Sequence, residues 1–549
     1  MSTHLSARRI LTNAASSWGM YATQLVVAFV MSPIMVRGLG DQRYGIWSLV
    51  ESTIAYLALF DFGVGASVVR HISRFHEVRD EEGLKRVYST CLLIFVTAGA
   101  SVLAITLTAA LLWAHPFGYS DSLASDTRWL LALFGVRLAV GLPLSVYPAM
   151  LDGFARYPTK SAIRSTFLLI GSGAFLIVLV SGGSIRDLAI SNVATHIAEH
   201  VCLALAVRRQ HPSLRFAPRH VDRAMLKQIR GYSVPAFVAL LAGQISFRTD
   251  AIVIGSFLDP RYITFFGIAA KLVEYAKMSL YSAATVLTPE ISALEARGDI
   301  AGIRRVLIQA TRYVLLAMIP VQVGFVLLGR QFITLWMGDA VYADASYPSL
   351  VILSIPFSLA VSQAISGRIL YGTGRLSWFA RMTMVEAGLN LVMSLALVQR
   401  FGIIGVAWGT SIPNLVFNVA LAIYVCRMFG VPLVQYLRQS FLKPLLLAIV
   451  PIAYWNAATS WLAIDDWATL LVVGGSGLGL YAALALLAEF GPRACLRTIR
   501  SWLRPIATPQ NDSGTVATQL RNQSQNQPHS EPCPDDAKAE LPVAEPSAV

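Results

Sequence analysis

Charged side chains inside apolar runs are the part of this sequence with chemistry to explain. In SFRTDAIVIGSFL (residues 246–258), Arg248 and Asp250 interrupt a stretch that otherwise suits hydrocarbon. An ionised group at mid-bilayer costs roughly 2.5–3.5 kcal/mol on insertion scales, so it persists only where a partner or a wet cavity offsets the cost. Two residues apart on a helix, the two side chains diverge by about 200°, and each needs a partner elsewhere. A carboxylate so placed can hold a proton or a sodium ion. A guanidinium can grip phosphate oxygens with its planar fork. An ion pair of Asp250 with Lys271 or Arg137 is the plainer alternative.

The same reading collects Glu51 in the second apolar run, with Asp61 near its end, then Arg137, Arg164, Lys271, Glu274, Lys277 and Glu386. Lys271, Glu274 and Lys277 recur every third residue and therefore share one helix face. That face looks into the bundle or a wet cavity, or else forms a ladder that neutralises itself. Tyr21, Tyr56, Tyr232, Tyr275, Tyr281, Trp47, Trp378 and Trp408 could stack on sugar faces, although belt and core roles explain such residues equally well. His196 and His200 flank Glu199 without a zinc motif that has a third ligand, so they read as polar packing residues. No metal, cofactor or catalytic residue is expected. Neither a Walker A sequence nor H-E-x-x-H occurs.

The elements that carry these residues follow from composition. Of 549 residues, 55% are hydrophobic and 14% charged, with a mean hydropathy of +0.58. Soluble domains carry about 25% charged residues. Apolar stretches long enough to cross about 30 Å of hydrocarbon recur throughout, and runs of that length must be helical there. The fold class is an all-α polytopic membrane protein. The spans expected are 14–36, 44–68, 87–113, 129–150, 160–181, 186–207, 232–257, 262–288, 313–336, 346–370, 377–398, 402–426, 444–462 and 468–489. The first apolar run lacks a cleavage site and reads as a span rather than a leader.

Lys and Arg gather in alternate connections such as RHISRFHEVRDEEGLKR, while Asp41, Asp121, Asp339, Asp465 and Asp466 sit in the opposite set. The positive-inside rule makes the basic set and both termini cytoplasmic. The net charge of +13 is thus an orientation signal and an anionic-lipid contact, not a mark of nucleic acid. The scattered cysteines show no metal spacing.

Internal similarity organises the chain. GLGDQRY (38–44) and SFLDPRY (256–262) share Asp-x-Arg-Tyr at an offset of 218, and LDGFARY (151–157) and LYGTGRL (370–376) share Leu-x-Gly-x-x-Arg at 219. Six spans separate the members of each pair, so both halves face the same way. The expected plan is two parallel-repeat six-helix lobes around a central cavity, plus two C-terminal helices. Its parts are 1–207, a basic linker 208–230, a second lobe 231–426, helices 13 and 14 in 427–490, and a mostly disordered polar tail 491–549.

This plan, with LGDQRYGIWSLV, FDFGVGASVVRHIS, DAIVIGSFL and FGIIGVAWGTSIPNLVFNVALAIYVC, resembles the polysaccharide transporters of the multidrug/oligosaccharidyl-lipid/polysaccharide exporter superfamily over residues 8–490. The resemblance implies a flippase of a bacterial inner membrane, not an enzyme, that moves a polyprenyl-diphosphate-linked oligosaccharide of O-antigen, capsule or exopolysaccharide. It implies alternating access, a coupling proton or sodium ion, with support for Asp250, and polymerase and chain-length partners. On that cargo, Arg137, Arg164, Arg248, Lys271 and Lys277 are expected to guide the headgroup, and Asp250, Glu51 and Glu274 to couple an ion. A multidrug cation antiporter of the same superfamily is the alternative. A membrane glycan polymerase or ligase fits less well, because no sizeable outward loop holds a nucleophile and a base.

Overall fold

Apolar runs in hydrocarbon have no water to satisfy their amides, so each pairs its N–H and C=O groups within itself. A computed structural model of the chain describes residues 7–112, 120–284, 287–375 and 377–502, with the side chains of 7–15, 17, most of 230–247, 279–284, 289, 490 and 492–502 outside the description. Residues up to Ala485 form one unit and those from Leu486 another.

The helices of the first part are α1 (Ala7–Leu39), α2 (Asp41–Leu57), α3 (Val64–Glu77), α4 (Glu81–Leu112), α5 (Asp121–Leu144), α6 (Val146–Gly153), α7 (Tyr157–Val180) and α8 (Ile185–Gln210). After a connection come α9 (Arg223–Phe257), α10 (Arg261–Ala284), α11 (Leu287–Ala296), α12 (Ile300–Leu327), α13 (Gly329–Met337), α14 (Ala340–Ser354), α15 (Phe357–Gly372) and α16 (Ser377–Met428). The chain continues through α17 (Leu433–Ser440), α18 (Leu442–Trp461) and α19 (Trp467–Trp502). Among the described residues, nine segments are long and apolar enough to cross a membrane, or eleven if the bent pairs α2–α3 and α14–α15 each count as one. Helix α10, with Lys271, Glu274 and Lys277 in seven residues, is not among them.

Span two does not run straight. Helix α2 stops at Leu57, residues Ala58–Asp61 tighten into a 3-10 turn, and Phe62 and Gly63 adopt positive φ before α3. The two pieces bend by 42°. Asp61 is a cap there, since its Oδ1 accepts from the Gly65 N–H at 3.0 Å.

The Leu-x-Gly-x-x-Arg pair has matching local geometry. The N–H of Arg156 bonds to the Leu151 carbonyl at 2.8 Å, and that of Arg375 to Leu370 at 3.0 Å. Ala155 and Gly374, the residues before them, both have positive φ. A third pair escaped the sequence reading. RDEEGLKRV (79–87) and GDIAGIRRV (298–306) are also offset by 219. Asp80 Oδ1 accepts from Gly83 N–H at 2.8 Å, and Asp299 Oδ1 from Gly302 N–H at 2.7 Å. Each aspartate caps the helix that follows and is worth about 1 kcal/mol there.

Successive helices run back and forth, so one end of the bundle carries Asp41 and the other Asp80. One core cluster unites Tyr44, Trp47, Leu130 and Leu188 of the first part with Ile254, Ile263, Phe266 and Trp336 of the second. Toward the Asp80 end the cores are separate. Val68, Val87, Met150 and Leu203 cluster with Met225 and Ile229 of α9, whereas Ile303, Leu307, Ile369, Val425 and Tyr436 form another cluster. Helix α9 is the shared strut, with its start in the first of these cores and its end in the joint one.

Candidate functional site

At the Asp41 end, the first two helices meet the second part through polar contacts. Arg37 Nε donates to the Met337 carbonyl at 2.6 Å and Nη2 to that of Trp336 at 3.2 Å. Tyr342 OH donates to Asp41 Oδ1 at 2.6 Å, Thr264 Oγ1 to the Asp41 carbonyl at 2.6 Å, and Gln42 Nε2 to Asp259 Oδ2 at 3.3 Å. Phe29 stacks on Trp336 with ring centroids 5.0 Å apart. Gly45 lies against the backbone of Pro260 so closely that any Cβ would overlap its carbonyl. The two Asp-x-Arg-Tyr turns therefore touch each other.

Deeper along the same seam lies Lys271. Its Nζ donates to the Tyr44 hydroxyl and sits 5.0 Å from that ring's centroid. Glu51 interacts electrostatically with Lys271 and with Arg137. Arg137 donates from Nη1 to Asn192 Oδ1 at 2.7 Å and covers the Phe134 ring at 4.5 Å. Tyr275 reaches α1 through Ser32, with the two hydroxyl oxygens 3.2 Å apart, and Tyr56 bonds to Thr249 across α2 and α9. Three of the charges expected from sequence, Glu51, Arg137 and Lys271, thus form one group.

Asp250 belongs to a different group. Thr410 Oγ1 donates to its two carboxylate oxygens at 3.1 and 3.2 Å, and Glu386 is close enough to repel it. Lys277 interacts with Glu386 and with Glu274. Asn390 follows Glu386 by one turn and is fully buried. Both its side-chain polar atoms lack a hydrogen-bond partner among the described residues. Ser394, one turn on, packs against Gly409, the neighbour of Thr410. The polar stripe 386–390–394 therefore runs beside Thr410 and faces the Asp250 helix. Two carboxylates, an amide oxygen and hydroxyls are hard donors, suited to a proton or an oxygen-seeking cation.

Among the described residues no ion pair joins Asp250 to Lys271 or Arg137, and each of the three has the other partner just described. Arg248 is exposed on α9, and Glu274 is exposed on α10. Arg164 stands apart, with its Nε 3.4 Å from Glu199 Oε1. Sequence reasoning passed over Asn390 and Thr410, although polar residues at 386, 390 and 394 mark one face of an apolar helix.

The histidines of α8, expected from sequence as polar packing residues, stand with Glu199 as a possible third ligand. His196, Glu199 and His200 spell H-x-x-E-H, and their donor atoms lie within 4.8 Å of one another. His200 Nδ1 is 3.0 Å from the His196 carbonyl, an arrangement that leaves Nε2 outward. These three could hold a metal by type and distance. Against a dication stand Arg164 on Glu199 and Arg137 beside His196.

Among the aromatic candidates, Trp47 is core, packed edge-on to Phe134 at 4.9 Å and Phe175 at 5.9 Å. Trp378 stacks on Tyr424 at 4.1 Å. Tyr21 and Trp408 are exposed, and the side chains of Tyr232 and Tyr281 lie outside the described residues.

The model of a family described as polysaccharide biosynthesis protein matches residues 10–295, just over half the chain. A Haloferax volcanii protein named as a low-salt glycan biosynthesis flippase is 24% identical over 405 residues, which cover 73% of this chain and 80% of that protein. A Shigella flexneri protein named for O-antigen transport is 19% identical over 422 residues, or 76% and 98%. In fold, the chain is similar to the lipid II flippase MurJ in an inward closed conformation. The TM-score is 0.67 at 14% identity, with coverage of 87% of this chain and 99% of that one.

Proposed function

Because the chain belongs to the polysaccharide biosynthesis protein family, we propose that it flips a polyprenyl-diphosphate-linked oligosaccharide between membrane leaflets by alternating access. The observation that carries this reading is the uneven core. The two parts share a core at the Asp41 end and keep separate cores toward the Asp80 end. Such a shape suits a cavity that is closed on one side and open on the other. With the basic connections cytoplasmic by the positive-inside rule, the closed Asp41 end faces outward and the open end takes cargo from inside, across a bacterial inner membrane. Fourteen spans in two six-helix lobes, 1–207 and 231–426, with linker 208–230, two further helices in 427–490 and a cytoplasmic tail from 491, fit the matched turns at residues 155 and 374 and at 80 and 299.

The mechanism assigns separate work to the two groups. Lys271 and Arg137, with Glu51 between them, line the seam where the lobes part, and exposed Arg248 flanks it. Cations there can guide a diphosphate while the polyprenyl tail remains in lipid. Arg164, paired with Glu199, and Lys277, beside Glu386 and Glu274, lie outside the Lys271 group and serve less directly. Asp250, with Thr410, Glu386 and Asn390, holds a proton or sodium ion whose binding and release bias the lobes. Glu274 and Glu51 are secondary candidates for that coupling. A ligand shifts such an equilibrium only through its differential affinity for the two states, which a site at the α9–α16 contact can supply. Lys271 parts from Tyr44 as the outward end opens. A polymerase and chain-length regulator would receive the flipped unit.

Mass spectrometry of lipid-linked saccharides in a deletion strain tests the reading. One polyprenyl-diphosphate oligosaccharide should accumulate, and wild type should clear it while Asp250→Asn does not. No accumulation in a strain without redundant flippases would favour small-molecule cation export.

A further inference from the structure

A chamber of about 440 Å³ opens near the Asp80 end between α4, α6, the last turn of α8 and the connection 211–222. It lies within the first part of the chain, and nothing in the proposed transport cycle uses it. Tyr88 and Tyr147 line it, only 2% and 4% exposed, with hydroxyl oxygens 2.9 Å apart. Arg208 Nη2 donates to the Tyr147 hydroxyl at 3.3 Å, and the guanidinium sits 6.0 Å from that ring's centroid. Arg215 completes the polar lining from the connection. Leu214, 4% exposed, anchors this connection in the core of α4 and α6.

The charges in this chamber are unbalanced. Arg208 and Arg215 line the same space, and neither has a carboxylate partner among the described residues. Glu81, the acid nearest in these contacts, accepts from Ser213 Oγ at 2.9 Å and is not part of the lining. Both side chains are solvent-exposed, so water screens their mutual repulsion, and an anion held between them gains from both at once. The tyrosines offer a third donor, since two hydroxyl protons and a single Tyr–Tyr bond leave one proton to give. Forked donors and a hydroxyl suit phosphate oxygens.

The apolar side of the chamber indicates what carries the phosphate. Leu92 and Phe216 line it, and Leu93 and Val96 continue along α4 as exposed apolar surface. Tyr88 lies about 10 Å along α4 from Glu81 at 1.5 Å per residue, a depth suited to the headgroup layer of a bilayer that α4 crosses. We propose that this chamber binds a phosphate group, presented by an anionic phospholipid whose first acyl carbons rest on Leu92 and Phe216.

Native mass spectrometry of the purified full chain tests it, with phosphatidylglycerol or phosphatidylcholine added and inorganic phosphate as competitor. Wild type should retain one phosphatidylglycerol at concentrations where phosphatidylcholine is lost. Retention should fall at least tenfold in the double variant Arg208→Gln/Arg215→Gln and about threefold in Tyr147→Phe, and stay unchanged in Arg209→Gln. Arginine-dependent binding of inorganic phosphate without lipid retention keeps the site and names free phosphate as its source. Phosphatidylglycerol retained equally by the double variant and wild type, with no arginine-dependent phosphate binding, overturns the proposal. Tyr147→Phe and Arg209→Gln guard against a double variant that fails to fold.

Discussion

Lys271 and Asp250 are both charges inside helices of the second part of the chain, yet their partners differ in kind. Lys271 bonds to Tyr44 and interacts with Glu51, both on α2 of the first part. Asp250 bonds to Thr410 and neighbours Glu386, both on α16 of its own part. If the parts separate at the Asp41 end, the first group must come apart and the second need not. Leaving a buried charge without its partner costs several kcal/mol, so the Lys271 group can define two discrete states. The Asp250 group lies within one part, so its occupancy can bias the two states only through a difference in affinity between them.

Substitutions can break or sharpen that contrast. Asp250→Asn is expected to have the largest effect, a drop in flipping of about tenfold or more, or at least 1.4 kcal/mol, with the protein still folded. Lipid-linked saccharide levels and thermal unfolding read the two halves of that statement. A variant that unfolds instead would make Asp250 a structural residue.

Lys271→Met ranks next. It removes the cross-part bond while retaining the length of the side chain. A cysteine placed at Thr264, buried against the Asp41 carbonyl, should then react several-fold faster with an impermeant thiol reagent. Unchanged labelling would mean that Lys271 does not hold the Asp41 end shut.

Tyr44→Phe removes one hydroxyl and should shift the same labelling less, by a few-fold, as expected for a hydrogen bond of about 1 kcal/mol. A loss equal to that of Lys271→Met would show that the tyrosine carries the whole contact.

The smallest effect tests the repeat rather than the seam. Asp80→Ala and Asp299→Ala should each destabilise by about 1 kcal/mol, equally, in thermal denaturation. Unequal losses would mean that the two turns share geometry but not energetics.

Sequence carried the helical class and the list of intraspan charges, because apolar length and the cost of charge in lipid are local properties. Two of the repeated sequences were legible as Asp-x-Arg-Tyr and Leu-x-Gly-x-x-Arg. The third, at residues 80 and 299, was hidden because its identities, Asp, Gly, Arg and Val, are spread through two connections whose basic charge dominates. Thr410 and Asn390 escaped notice for a physical reason. Neutral polar side chains cost little in a helix and draw attention only when a tertiary neighbour such as Asp250 is known. The break at Phe62 and Gly63 was equally silent, since it lies inside an otherwise continuous apolar run. For Trp47 the type alone left sugar stacking, belt and core roles open, and its place between Phe134 and Phe175 makes it core.

Helix α16 is two helical rods that join at Gly402 (φ 57, ψ −138) and reverse direction with no intervening loop. That backbone conformation is open to glycine and to almost nothing else. Proteases need extended chain to seat in their clefts, and exposed loop tips are where nicking concentrates. The Gly402 reversal offers them none, whereas the connection 211–222 at the opposite face does. In oriented vesicles, early proteolytic cuts should therefore fall within 211–222 and leave the Gly402 reversal untouched.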